Sequence, residues 1–258
     1  MSAAPLYVEA RISADIDELW AATQDPAQHQ RWDLRFTHID YLDSADGGPQ
    51  RFTYAVRVLG IKLSGTGICA GENSRPDGSR TSALRFASPH PLSLLAQGSG
   101  YWRYVPTEDG IRFLTGYDYR PRWGRFGRIA DRLIFRPLIG WATAWSFDRL
   151  RLWLERGTPP EHSLRRALLD VALRSAVLTA AAVVIATRPR MAFTSSFAPL
   201  DGFAPYIRAI DVLTLAAALL LLPPLPGTPA ARRCIRRQPA AVTAPAALAA
   251  LDHVEPLA

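Results

Sequence analysis

Lysine is almost missing from this chain. Lys62 is the single one among 30 basic side chains, so arginine carries nearly all the positive charge. Together with abundant alanine and 21 prolines, this resembles the coding bias of a GC-rich bacterial genome. Arginine in place of lysine then carries no mechanistic message by itself. Cysteine is scarce too. Cys69 and Cys234 exclude a disulfide framework, a CxxC pair and a structural zinc site, and Cys69 reads as a buried, inert strand residue. The five histidines, His29, His38, His90, His162 and His253, are scattered without metal-ligand spacing, so neither metal nor cofactor is expected. His29 lies near Asp25 and Asp33, which offers a base, but it reads as an exposed helix residue. A nucleophile elbow, a phosphate-binding glycine loop and an HExxH helix are all missing, so no catalytic residue can be assigned. The start, MSAAPLYVEARIS, has no basic region followed by an apolar core. The N-terminal domain is therefore expected to stay in the cytoplasm.

What is present divides in two. The chain has 258 residues, 48% of them hydrophobic, and a formal net charge of +7. That is enough for one domain with a sizeable core and something smaller. Leu6 to Ile12 alternates like a half-buried strand. Ser13 or Asp15 then offers a helix cap, ahead of a helix through Leu19, Trp20 and Ala21. Asp25-Pro26 opens a second short helix that runs to Arg31-Trp32-Asp33. Six strands follow: Phe36 to Leu42, Arg51 to Val58, Ile61 to Ala70, Arg80 to Ala87, Leu95 to Val105 and Ile111 to Tyr119. Turn residues punctuate them, as in 43–48 (DSADGG), Asn73 to Gly78 and 108–110. After Pro121 the period changes to about 3.6. Phe126, Ile129, Leu133, Trp141, Trp145 and Leu152 mark the inner side of a long helix from about Gly124 to Glu155, with a kink at Pro137. The layout is α+β, an antiparallel sheet with segregated helices.

This order, with Leu19-Trp20, Asp25-Pro26 and Trp32-Asp33 in VEARISADIDELWAATQDPAQHQRWD, resembles the START-like superfamily (SRPBCC or Bet v 1-like, including the polyketide cyclase/dehydrase family). The resemblance covers about the first 156 residues. It implies a helix-grip fold, in which a curved seven-stranded antiparallel sheet with two short helices holds a long C-terminal helix. It also implies a cavity for hydrophobic ligands between sheet and helix. It carries no catalytic signature onto these residues.

The remainder reads as membrane segment and tail. Leu168 to Thr187 is long enough to cross a hydrocarbon core at 1.5 Å per residue, with Asp170 and Arg174 placed to pair near one end. Ala209 to Leu225 is a shorter second span that carries Asp211 and ends at Pro223-Pro224. The loop between them holds Phe193, Phe197, Phe203 and Tyr206, suited to an interface. Arginines favour both ends on the cytoplasmic side: Arg156, Arg165 and Arg166 before the hairpin, and Arg232, Arg233, Arg236 and Arg237 after it, against Arg188, Arg190 and Arg208 in the loop. The expected organisation is a START-like domain over 1–157, a linker over 158–167, a two-helix transmembrane hairpin over 168–225, and a basic then Pro/Ala-rich cytoplasmic tail over 226–258, flexible beyond Arg237.

Candidate cavity residues are Trp20, Tyr54, Trp102, Tyr104, Phe113 and Tyr117, with Trp141 and Trp145 from the long helix. Aromatic rings supply apolar wall, and Tyr and Trp add polar handles. The competing reading is that they fill the core. Arg51, Arg57, Arg103 and Asp118 read mostly as solvent-facing strand residues. Arg125, Arg128, Arg132 and Arg136, spaced three, four and four apart with Arg120 and Arg122 before them, form a basic stripe. It reads either as a solvated face or as a membrane-surface contact with anionic lipid. Nucleic acid is not expected, because no aromatic-interleaved basic patch or reading helix is present. The leading expectation is a hydrophobic small molecule or lipid bound beside the bilayer. The alternatives are a polyketide cyclase/aromatase-like enzyme and a membrane-anchored interaction module with a filled core. Nothing in the chain sets an oligomeric state.

Overall fold

A computed structural model describes residues 5–42, 49–58, 60–187, 204–240 and 242–250. The chain divides into two compact units: Met1–Glu161 with Pro229–Ala258, and His162–Thr228.

In the larger unit, β1 (Leu6–Ile12) leads into α1 (Ile16–Gln24). Asp15 caps α1, its carboxylate accepting the amides of Asp17 at 2.7 Å and Glu18 at 3.4 Å. The other cap candidate, Ser13, instead donates its hydroxyl to the Asp109 carbonyl at 3.1 Å. Asp25 caps α2 (Pro26–Trp32) through the Ala27 amide, with Pro26 where no amide hydrogen is needed. The Trp32 indole donates to the Ala22 carbonyl at 2.8 Å and locks the two short helices together.

Six strands follow: β2 (His38–Tyr41), β3 (Gln50–Val58), β4 (Ile61–Ser74), β5 (Arg80–Ala87), β6 (Leu95–Thr107) and β7 (Gly110–Pro121). The sheet order is β1-β7-β6-β5-β4-β3-β2, antiparallel throughout. The first strand thus lies against the last, as Leu6↔Tyr117 to Ile12↔Ile111. The element order matches the sequence expectation. β2 is shorter than expected and β4 longer, while the turn over 43–48 lies outside the described residues. Phe113 from the sheet stacks on Phe147 of the long helix that follows β7 at 4.4 Å, and both are fully buried. That contact joins sheet to helix.

The long helix is not one α-helix with a proline kink. It runs as α3 (Gly124–Ala130), a π-helical segment (Asp131–Phe135) and α4 (Arg136–Arg156). The Arg136 amide reaches back five residues to the Asp131 carbonyl, and the next residue, Pro137, has no amide to give. The extra residue rotates everything before it relative to α4. Phe126, Ile129 and Leu133, expected inside, consequently lie outside. Gly157, at φ 60°, stops α4 in the left-handed region.

Residues 229–250 belong to this unit and are not a free tail. Ile235 exchanges both backbone hydrogen bonds with Glu9, each 2.9 Å, and so covers the outer edge of β1. Asp148, wholly buried in α4, accepts the Ala230 amide at 2.8 Å and Arg233 Nη1 at 2.7 Å. The Cys234 thiol donates to the Ala144 carbonyl. Farther on, Val242 and Leu248 pack on Tyr7, Tyr101 and Leu114, on the face of the sheet away from the cavity, and a one-turn helix α7 (Ala246–Ala250) sits there.

The smaller unit contains α5 (Pro160–Thr187, its first two residues in the larger unit) and α6 (Ala204–Leu221). The stretch expected as a linker is, from Pro160 onward, already helix. Within Pro160–Ile185 the most apolar 18-residue stretch has a mean hydropathy of 2.0 and almost no burial. Among the described residues it is the one helix long and apolar enough to cross a membrane, and the apolar part of α6 is shorter, Ala209–Leu221. Asp170 and Arg174 pair at 2.8 Å, and Arg174 also donates to the carbonyls of Leu219, Leu222 and Pro223. The two charges thereby serve the last turn of α6, whose carbonyls lack helical partners. The loop over 188–203 lies outside the described residues.

Candidate ligand cavity

A cavity of about 120 Å³, partly open to solvent, lies in the larger unit on the face of the sheet that receives the helices. Two glycines explain why there is room. Phe52 and Tyr54 of β3 lie opposite Gly67 and Gly65 of β4. A Cβ at Gly67 would sit 2.0 Å from the Phe52 ring, and one at Gly65 2.4 Å from the Tyr54 ring. Both rings therefore lie down over β4 and leave space above them. Phe86, Leu84 and Ile139 add apolar wall.

Polar groups cluster at two places. At one, Tyr104 shares a 2.6 Å hydrogen bond with Thr23 and accepts the Gln24 side-chain amide at 3.0 Å, while Ser82 donates to Gln24 Oε1 at 3.2 Å. At the other, Tyr117 shares a 2.9 Å hydrogen bond with Thr143, and the Arg35 guanidinium lies over the Tyr117 ring at 5.6 Å. Arg35 donates through Nε at 3.0 Å and Nη2 at 2.6 Å to Asp33, which also bonds His29 Nε2 at 3.1 Å. Burial alone would raise the Asp33 carboxyl, but the Arg35 charge and the hydrogen bonds from His29 and Arg35 hold it well below the usual range. Burial lowers the His29 imidazole further than Asp33 can restore, so it is neutral near pH 7. Burial also pushes Tyr54 up to about 12 and Cys69 up to about 11. The wall thus offers neutral hydroxyls and thiol, with one internally balanced ion pair.

The sequence candidates part company here. Tyr54, Trp102 and Tyr117 line the cavity. Tyr104 touches it only through its hydroxyl partners, and Phe113 is sealed in the core. Trp20 packs against Tyr104 with the rings tilted by 56° at 5.0 Å and lies under Arg80. Trp145 is buried between Trp141 and Arg149, and Trp141 is exposed. His29, expected exposed, is buried in a lining position against Trp32 and Trp102. Arg35 was not singled out by the sequence, and its place two residues after the Trp32-Asp33 dipeptide was the available signal. Arg51 and Arg57 are exposed, as expected, but Arg103 is half-buried over Tyr101 and donates to the Thr243 carbonyl at 3.2 Å. Of the basic stripe, Arg125, Arg128 and Arg132 are exposed, whereas Arg136 turns inward onto Asp131 at 3.1 Å and Asp118 at 3.4 Å. No group of three or more potential metal ligands occurs among the described residues.

No family model matches the chain. Over 169 residues it is 50% identical to an uncharacterized membrane protein, YndG, of Bacillus subtilis (strain 168), covering 65% of this chain. The chain spans 63% of the length of that relative. Among solved structures it is similar to a STAR-related lipid transfer protein fragment of Xanthomonas axonopodis, with 17% identity and a TM-score of 0.44 over 57% of this chain and 84% of that one. It is also similar to a START superfamily protein of Mycobacterium smegmatis, with 16% identity and a TM-score of 0.41 over 60% and 100%. The Zhui aromatase/cyclase of Streptomyces sp. R1128 has 13% identity and a TM-score of 0.40 over 57% and 95%. The fold rests on the strand order and register of this chain itself.

Proposed function

We propose that this chain is a membrane-anchored domain that takes up a hydrophobic small molecule in the cavity over β3 and β4. The observation that carries the reading is the open space above Phe52 and Tyr54, bounded by Trp102 and Tyr117. Apolar burial drives entry, and Arg35 and the tyrosine hydroxyls orient one acceptor group. Asp33 takes two of the five guanidinium donors, which leaves donors to spare for Tyr117 and a ligand oxygen. Size limits the ligand. An apolar cavity of about 150 Å³ holds a benzene-sized molecule, so this one takes a ring or a short chain as it stands. A whole lipid would have to part the walls.

The anchor is part of the same proposal. The membrane-protein relative and the length of α5 support insertion. Chain connectivity supports an even number of crossings. Residues on both sides of the smaller unit fold into one compact unit, so a single crossing would put them on opposite sides of the bilayer. α6, with 18 residues, reaches about 27 Å, close to one hydrocarbon core. The arginine flanks favour the cytoplasmic side for the folded domain.

Native mass spectrometry of the detergent-purified full chain tests the cavity. A bound small molecule in the wild type, lost in Leu84→Trp with the fold retained, is the expected result. An empty wild type, indistinguishable from the filled variant, overturns it. An enzyme of the aromatase/cyclase kind is the second reading. It is favoured by His29, a neutral imidazole in the cavity wall held by Asp33.

A further inference from the structure

The segment from Trp123 to Leu138 is inside out for a water-exposed helix. Its inner side is small or polar. A Cβ at Gly127 would meet the Arg122 carbonyl oxygen at 1.6 Å, and the buried Asp131 carboxylate bonds the Tyr119 hydroxyl and Arg136. Its outer side is apolar and large. Phe126 is 71% exposed, Leu133 69%, Ile134 67% and Ile129 59%, with Leu138 and Trp123 also exposed. Scattered single exposed hydrophobics are ordinary, but a run on one element marks an interaction surface.

The charges beside that run have one sign. Arg125, Arg128 and Arg132 are exposed and make no ion pair among the described residues. Between Tyr119 and Phe147 the single acidic residue is Asp131, and it is turned inward. Large apolar side chains interleaved with arginine, with a tryptophan at the start of the helix, fit a bilayer interface with anionic headgroups. A second copy of the chain would set arginine against arginine. We propose that residues 123–138 form a second membrane contact, an amphipathic element of the folded domain that docks into an anionic lipid surface independently of α5. The apolar side chains enter the acyl boundary, and the three arginines bind phosphate oxygens at its rim.

The test uses the full chain with Cys69 and Cys234 replaced by serine and one reporting cysteine, either Leu133→Cys or Val183→Cys. Each is labelled with a polarity-sensitive fluorophore and reconstituted in bilayer discs that hold one protomer. The discs contain phosphatidylcholine alone or mixed with phosphatidylglycerol, and carry nitroxide-labelled lipid as quencher. The Val183 label reports the anchor. The expected result is quenching at Val183 in both lipids, and at Leu133 chiefly in the anionic mixture. One arginine near an anionic surface is worth roughly fivefold in the docked population. Arg125→Gln, Arg128→Gln and Arg132→Gln together should therefore lower the docked-to-undocked ratio at Leu133 roughly a hundredfold and leave Val183 unchanged. Quenching at Val183 without any at Leu133 overturns the docking proposal and leaves the anchor standing. No quenching at either site overturns both. Shielding at Leu133 that appears only when discs hold two protomers assigns the face to a second copy and also overturns the proposal.

Discussion

Replacing Asp148 by alanine removes a wholly buried carboxylate that holds the returning C-terminal segment against α4. Its three partners lose different amounts. The Ala230 amide is buried and loses its Asp148 acceptor, which costs about 1–3 kcal/mol. Arg151, which pairs with Asp148 at 2.7 Å, keeps Glu155 at 2.7 Å, and Arg233 is 37% exposed and regains water, so their losses are smaller. Breaking a buried pair from one side generally costs about 3–5 kcal/mol; with those two discounts we expect about 3 kcal/mol. For a domain of this size that lowers the melting temperature by about 6–12 °C. Thermal unfolding of the full chain in detergent, followed by tryptophan fluorescence, measures it. Hydrogen exchange at the Glu9 and Ile235 amides measures the local consequence, because each donates to the other residue's carbonyl. Asp148→Asn, which keeps an acceptor for Ala230, should fall between the two. A melting temperature within about 2 °C of wild type, with both amides still protected, would refute the idea that this contact holds the segment down.

Further predictions concern the cavity and its edge. Burial lowers the folded-state His29 value below its ordinary 6.5, so the unfolded chain binds the extra proton as pH drops through that window. Stability should fall as the pH drops below about 7, and His29→Gln should flatten that slope in a denaturant titration. Asp33, held below its ordinary 3.8 by Arg35 and His29 after burial is overcome, adds a second loss of the same sign only in stronger acid. Gly67→Ala places a methyl 2.0 Å from the Phe52 ring position, so the ring must rise into the cavity. We expect about 1–3 kcal/mol of destabilisation and weaker uptake of a small apolar fluorophore; unchanged uptake would separate the cavity from that ring. A chain ending after Gln238 should bare Tyr7, Tyr101 and Leu114 and aggregate more readily, as light scattering would record.

The order of elements along the chain, the two short helices and their caps were legible because each is a local signal. Alternation marks a half-buried strand, and Asp15 and Asp25-Pro26 act within one turn of themselves. Tyr54, Trp102 and Tyr117 were found as wall because they are aromatics on strands. Tyr104, Phe113 and Trp145 look the same in sequence, and only packing separates wall from core. Reading one 3.6 period on both sides of a kink at Pro137 put Phe126 and Leu133 on the same side as Trp145, whereas the five-residue hydrogen bond at Asp131 turns them out. His29 lacked an apolar periodicity of its own, and its burial comes from rings on two other elements. The return of 229–250 was invisible because its proline- and alanine-rich sequence has no period. It is held by scattered single contacts, among them the Ile235 bridge, the buried Asp148 and the apolar contacts of Val242 and Leu248.

That return sets an order of assembly. Residues 229–250 leave the ribosome after both helices of the smaller unit, yet they close the free edge of β1, the first strand made. Until they arrive, the Glu9 edge and the Tyr7, Tyr101 and Leu114 surface stay open, the kind of edge on which chains aggregate. Completion of the larger unit is thus conditional on synthesis of the whole smaller unit. A chain cut short before Pro229 has an unfinished sheet edge, and quality-control proteases can act on it.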